Sequence, residues 1–181
     1  MKKNNKLGFT PTPMLGVSLP SKRGFTLIEI LVVIAIIGLL ASFSVVAFSS
    51  ALKKGRDAKR KSDINQVGKF LSLSCYVPDA GAGKYDLATL FEEIKIKNPQ
   101  ISTFIKSVPK DPSVGTNSQT YYLYEVTTDG KKCALYANLE NANEQITLPN
   151  LTLPTPGGGT GVLQANENGP NKTNKYFQYS N

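Results

Sequence analysis

The sequence predicts an α+β protein: a long N-terminal α-helix, its first half transmembrane, packed against a small antiparallel β-sheet. Three observations carry that expectation. From Phe25 to Ser50 run 26 residues with one charged side chain, Glu29; at about 1.5 Å per residue such a helix crosses a hydrocarbon core of about 30 Å. Beyond it, Lys53 to Ser74 holds good helix formers and no proline, and Ile64, Val67, Gly68, Leu71 and Cys75 recur at spacings of three and four, the stripe of an amphipathic helix. Later, Gln119–Thr128 and Lys131–Leu139 alternate apolar and polar residues on either side of Asp129-Gly130, a strong type I′ hairpin signal. A hairpin alone is marginal in water, so this one needs the amphipathic part of the helix beneath it.

The first element, residues 1–24, has a basic start (Lys2, Lys3, Lys6), three prolines (Pro11, Pro13, Pro20) and the ending Lys22-Arg23-Gly24. A secretory signal places its apolar core ahead of its cleavage site. Here the apolar run begins only after Gly24. Glu29 poses a physical problem within that run, because a carboxylate at the centre of a bilayer costs about 2.5–3.5 kcal/mol, and less near the interface. It either stays wet beside the headgroups or meets a cation. A cut after Gly24 would supply one: Phe25 would carry a new α-amine four residues before Glu29, able to pair with its own chain or a neighbour's.

Gly24-Phe25-Thr26-Leu27-Ile28-Glu29, after Lys22-Arg23 and before Leu31-Val32-Val33-Ile34-Ala35-Ile36-Ile37-Gly38, resembles the class III signal of type IV pilins and type II secretion pseudopilins. The resemblance runs from Lys22 to about Gly68. It implies that a prepilin peptidase cuts between Gly24 and Phe25 and N-methylates Phe25, and that Glu29 neutralises the N-terminal amine of an adjacent subunit during assembly. Gly38 matches a glycine common in the family's helix, whereas Val46 stands near the place where the family often has proline. The expected organisation is then 1–24 leader, 25–50 transmembrane and polymerisation helix, 51–76 its amphipathic continuation, 77–118 helical connecting region, 119–148 hairpin or sheet, and 149–181 a flexible Gly/Pro-rich tail with a final strand at Tyr176–Tyr179 returning to the sheet edge.

Net charge separates classes only after the leader is set aside. The whole chain is +8, but Lys2, Lys3, Lys6, Lys22 and Arg23 lie before the cut, leaving 16 cations against 13 acids. A net of +3 does not indicate a nucleic-acid-binding domain. The sequence has no His, which excludes His-based triads, His metal ligands and His acid–base catalysis. No set of acids or hydroxyls assembles a catalytic constellation, so the expectation is a structural subunit and not an enzyme, with no cofactor. Lys53, Lys54, Arg56, Lys59, Arg60 and Lys61 crowd the far flank of the apolar run. They read as a solvated helix face near the membrane, as contacts to anionic headgroups or to acids on neighbouring subunits, or, last, as a DNA-binding patch. They also leave the positive-inside rule undecided; the resemblance puts the leader inside and the C-terminal domain outside.

In the remaining chain, Pro78-Asp79-Ala80-Gly81-Ala82-Gly83 is a turn-rich break. Asp86 is placed to cap a short helix with Leu87, Leu90, Phe91 and Ile94 on one face, and Asn98-Pro99 to begin another with Ile101, Phe104, Ile105 and Val108. Val108-Pro109-Lys110-Asp111-Pro112 is a stiff turn similar to one that precedes the sheet in many pilins and pseudopilins. Some secretion pseudopilins bind calcium near their sheet; Asp111, Asp129 and Glu140 are oxygen donors, but their spacing fits no compact calcium loop, and no metal site is expected. Cys75 and Cys133 are either a disulfide, which is permitted outside the membrane, or two buried thiols. Pro154-Thr155-Pro156-Gly157-Gly158-Gly159-Thr160-Gly161 reads as a flexible linker, and Asn150-Leu151-Thr152 and Asn171-Lys172-Thr173 fit a glycosylation pattern that is common by chance.

The resemblance implies polymerisation with like or other pilins, processing by a prepilin peptidase, an inner-membrane assembly platform, and a single pass through the cytoplasmic membrane before export into a pilus or a periplasmic or cell-surface filament. Alternatives are a pseudopilin of a type II secretion or DNA-uptake machine, and a minor pilin with a ligand-binding role.

Overall fold

The computed structural model describes residues 24–100 and 107–181. The leader up to Arg23, and Ile101, Phe104 and Ile105 of the expected second short helix, lie outside the described residues; Val108 packs against the core. Two units are distinguished, Met1–Ser42 and Phe43–Asn181.

Helix α1 covers Leu27–Ser72. Thr26 precedes it and Glu29 sits in its first turn, where the two side chains satisfy backbone donors that a helix start leaves open. It is the one described helix long and apolar enough to cross a membrane. From Ile64 onward the same helix turns amphipathic: Ile64 and Leu71 are buried and Val67 is half-buried against the core of the second unit.

After α1 the chain makes a turn closed by the Gly81 N–H donating to the Pro78 carbonyl (2.9 Å) with Gly81 at φ +91°. A short strand β1, Gly83–Asp86, leads into helix α2, Leu87–Lys97. Asp86 caps α2 by accepting from the Ala88 N–H at 2.9 Å, and Leu87, Leu90, Phe91 and Ile94 face inward, as their spacing predicts. Strands β2 (Tyr122–Val126) and β3 (Cys133–Asn138) form the expected antiparallel pair, with Tyr124 opposite Leu135. Their connection, Thr127–Lys132, is longer than a two-residue type I′ turn. The Asp129 carboxylate accepts from Thr127 Oγ1 (2.6 Å) and the Lys131 N–H (3.1 Å), and Gly130 takes φ +65°.

The sheet has five antiparallel strands in the order β1-β2-β3-β5-β4, where β4 is Gly161–Gln164 and β5 is Lys175–Ser180. The sequence reading places the last strand at the sheet edge, but β5 pairs with β3 on one side and β4 on the other. The Gly/Pro-rich stretch ahead of β4 lies along β5: the Thr155 N–H donates to Gln178 Oε1 (2.9 Å), Gln178 Nε2 donates to the Gly159 carbonyl (2.8 Å), and the Gly157 N–H donates to Ser180 Oγ (2.7 Å). Its glycines at φ +81° (Gly157) and φ +84° (Gly159) make this path accessible. All six residues of β3 are therefore buried, with strands on both sides and both faces covered.

One face of the sheet carries Tyr122, Tyr124, Val126, Leu135, Ala137, Val162 and Phe177 onto α2 and the C-terminal part of α1. Gly68 lets the helix approach closely: a Cβ there would lie 2.6 Å from the Tyr179 ring. Cys75, just past α1, is disulfide-bonded to Cys133 at the start of β3, with Cα atoms 5.7 Å apart. The fold is the α+β arrangement that the sequence predicts, a long helix whose amphipathic part supports a small antiparallel sheet.

Candidate functional site

Of the sequence-predicted site residues, Gly24 and Phe25 lie just ahead of α1 and Glu29 in its first turn. Glu29 Oε2 accepts from the Thr26 N–H (2.7 Å) and from Thr26 Oγ1 (2.8 Å), while Thr26 Oγ1 accepts from the Glu29 N–H at 3.3 Å. This reciprocal capping box, formed by residues three apart, fixes the carboxylate one residue from the amine that a cut after Gly24 would create. Oε1 of Glu29 accepts no hydrogen bond among the described residues. Among the described residues nothing lies within 4 Å of a Cβ built on Gly24, so their packing does not demand glycine at this position.

Between Phe25 and Phe48, fourteen described large apolar side chains are 48–82% exposed, and they face every direction around the helix. Left in water, each forgoes about 1.5–3 kcal/mol of burial, a total on the order of tens of kcal/mol. Such a surface demands lipid or other helices. Gly38 and Ser42 give it a narrow place, since Ser42 turns its hydroxyl back to the Leu39 carbonyl (2.6 Å) and a Cβ on Gly38 would meet nothing.

In the second unit, the basic run does not form a uniformly solvated face. Arg60 is fully buried and donates to Asp111 through Nε and Nη2 (both 2.8 Å), to Asp57 through Nη1 (2.8 Å) and to Glu140 through Nη2 (2.6 Å). Arg56 forks onto both oxygens of Glu140 (2.8 and 2.5 Å). Asp57 in turn accepts from the backbone N–H groups of Glu140 and Asn141, both at 2.8 Å. Asp111 accepts from the Ser113 N–H (2.8 Å) and Asn171 Nδ2 (2.8 Å), and Lys61 pairs with Glu144.

The titration of these groups follows from their partners. Hydrogen bonds from Arg56, opposed by burial and helped by Ser113 and Arg60, hold the Glu140 carboxyl down at about 2. Burial pushes Asp111 up, but the bonds from Arg60, the Ser113 N–H and Asn171 outweigh it and leave its pKa lowered. Burial works against the Arg60 charge, and its acids overcome that and hold it above the ordinary value. The network ties α1 to the turn at Pro109–Pro112 and to the chain after β3. Sequence reasoning missed it; the Asp57–Arg60 spacing of three was the only local signal.

Asp129, grouped with Asp111 and Glu140 as an oxygen donor, stands apart from them in the hairpin connection, and no group of three or more metal-ligating acids or thiols occurs among the described residues. The Asn171 amide nitrogen is engaged by Asp111 and by the Asn138 carbonyl, which sets it apart from a free glycosylation acceptor.

Residues 19–45 match a family described as the prokaryotic N-terminal methylation motif. The chain is similar to the type II secretion system core protein G of Vibrio cholerae serotype O1, 32% identical over 95 residues covering 50% of this chain and 65% of that protein. It is similar to the type IV major fimbrial protein FimA of Dichelobacter nodosus, 32% identical over 106 residues covering 51% of this chain and 62% of that protein. The chain thus spans a little under two thirds of the length of each of these relatives. No solved structure matches it at comparable significance. These matches bear out the resemblance to type IV pilins and pseudopilins carried by Lys22 to Glu29.

Proposed function

We propose that this chain is a structural subunit of a type IV pilus-like filament, made as a single-pass precursor in the cytoplasmic membrane and polymerised through its N-terminal helix. The observation that carries the reading is the helix head itself: an apolar surface exposed on all sides from Phe25 to Phe43, opened by a capped Glu29 with one carboxylate oxygen unused among the described residues. Similarity to a fimbrial protein and to a secretion core protein supports it.

In this reading a prepilin peptidase removes residues 1–24 and methylates Phe25. The bared amine of one subunit then meets Glu29 of the next. Thr26 holds Oε2, which leaves Oε1 to accept from the incoming cation. Among packed helices an unpaired carboxylate is costly, so only the register that delivers an amine to every Glu29 is favoured. Cohesion comes from the apolar surface; register comes from the charge. Residues 51–76 continue the helix into the outer domain, and the surfaces of 77–118, 119–148 and 149–181 decide what the filament touches. The Cys75–Cys133 disulfide suits a domain outside the cytoplasm. Other pilins and an inner-membrane assembly platform are the partners that follow.

Similarity to the secretion core protein supports a second reading, a short pseudopilus in a secretion machine. Both readings use the same helix and the same glutamate. The experiment that tests them is Glu29→Ala in the producing cell: membrane insertion unchanged, assembled filaments lost. Normal filaments at normal abundance would overturn the register mechanism.

A further inference from the structure

The pairing of the basic run leaves a remainder. Arg56, Arg60 and Lys61 are spent on Glu140, Asp57, Asp111 and Glu144. Lys53, Lys54 and Lys59 are exposed and form no ion pair within 4 Å among the described residues; Lys54 lies in the field of Glu144 and Lys59 in that of Asp63, which leaves Lys53. Lys53 lies on an open cleft of about 560 Å³ between α1 and the segment after β3, lined also by Ser49, Ser50, Glu140, Asn141 and Asn143. The floor is already fixed. Glu140 is neutralised by two arginines, and the Asn141 backbone is held by Asp57. The hydroxyls of Ser49 and Ser50, the Lys53 ammonium and the side-chain amide of Asn143, whose backbone N–H donates to Asn141 Oδ1, line the cleft as donors with no acceptor among the described residues.

The place of these donors along the sequence points to their ligand. Counted from Phe25, about 20 residues cross the hydrocarbon core, which ends the apolar layer near Ser44; the headgroup layer takes roughly another 5–7 Å, or four to five residues. Ser49 and Ser50 then fall at the level of the lipid phosphates, with Lys53 and Lys54 at their outer rim. We propose that this cleft seats the phosphodiester headgroup of an anionic phospholipid while the subunit resides in the membrane. The seat rests on the membrane-spanning reading above. The buried arginine network preforms it by pinning the 140–143 segment beside α1. An anionic headgroup complements the Lys53 ammonium in the cleft, whereas a zwitterionic one brings its own cation against it.

The test uses the full chain reconstituted in vesicles of phosphatidylcholine with and without phosphatidylglycerol, followed by native mass spectrometry of the extracted protein. Retention of one phosphatidylglycerol in preference to phosphatidylcholine is expected. Lys53→Gln should lower that preference about fivefold, the equivalent of about 1 kcal/mol for one lysine at an anionic surface. Lys84→Gln, in β1, should leave it unchanged, and excess inorganic phosphate should not release the lipid. Equal retention of both lipids, indifference to Lys53→Gln, or release by inorganic phosphate would overturn the headgroup seat while leaving the membrane reading intact. A chain that stays out of the vesicles would sink both.

Discussion

Arg60→Ala removes the one cation shared by Asp57, Asp111 and Glu140. Arg60 is fully buried, and the side chains of Asp57 and Asp111 are 3% and 1% exposed, so water cannot replace the guanidinium. Stripping one partner from a buried ion pair costs about 3–5 kcal/mol. The remaining bonds temper the loss: Asp57 keeps two backbone N–H donors, Asp111 keeps Ser113 and Asn171, and Glu140 keeps Arg56. The expected destabilisation at pH 7 is therefore near the lower end, about 3 kcal/mol. It is read from denaturant unfolding of the full chain in detergent, followed by tyrosine near-UV circular dichroism because the sequence has no Trp. The pH dependence gives an independent check. Lowered carboxylate pKa values in the parent, about 2 for Glu140, contribute stability that is present above the unfolded value and lost as pH falls through the folded one. The variant has less of this contribution to lose, so the gap between the two proteins should narrow from pH 5 toward pH 2. A gap under 1 kcal/mol at pH 7, or one constant across that range, would refute the argument that a desolvated network joins α1 to the sheet domain.

Three further outcomes follow from single contacts. Gly68→Ala adds a methyl 2.6 Å from the Tyr179 ring, so the gain in helix propensity of about 1 kcal/mol is outweighed by overpacking of about 1–3 kcal/mol, and the melting temperature falls. Cys75→Ser opens a loop with a sequence separation of 58, which the chain-entropy model values at about 4 kcal/mol; unfolding of the oxidised parent and the variant in denaturant measures the difference. Asp86→Ala strips the cap of α2 and also the acceptor of the Thr120 and Tyr121 N–H groups (both 2.9 Å), so it should cost more than an ordinary cap, about 2 kcal/mol or above, in the same assay.

What was legible in the sequence was what is local. The apolar run, the Asp86 cap and the alternation of Tyr122, Tyr124 and Val126 are written in neighbouring residues, and each appears in the structure at its expected place. Strands β1 and β4 were not legible, because Gly83-Lys84-Tyr85-Asp86 and Gly161-Val162-Leu163-Gln164 are too short to show a period and exist through pairing with β2 and β5. The interior position of β5 was hidden for the same reason, since nothing in Tyr176–Tyr179 says that β4 will cover its far side. The basic run was misleading because its counterions are remote in sequence: Arg60 reaches Asp111 across 51 residues and Glu140 across 80. At the helix head the motif identified Glu29, but the part of Thr26 in holding it emerged only from the geometry.

The central claim is that the chain is cut between Gly24 and Phe25 and then polymerises. The most direct measurement is the intact and N-terminal peptide mass of the protein from sheared surface filaments and from membranes. A chain beginning at N-methylated Phe25 in the sheared fraction is the predicted result, and the same processed chain confined to membranes would select the pseudopilus. Protein beginning at Met1 in cells with an active prepilin peptidase would contradict the account and leave α1 as a plain membrane anchor.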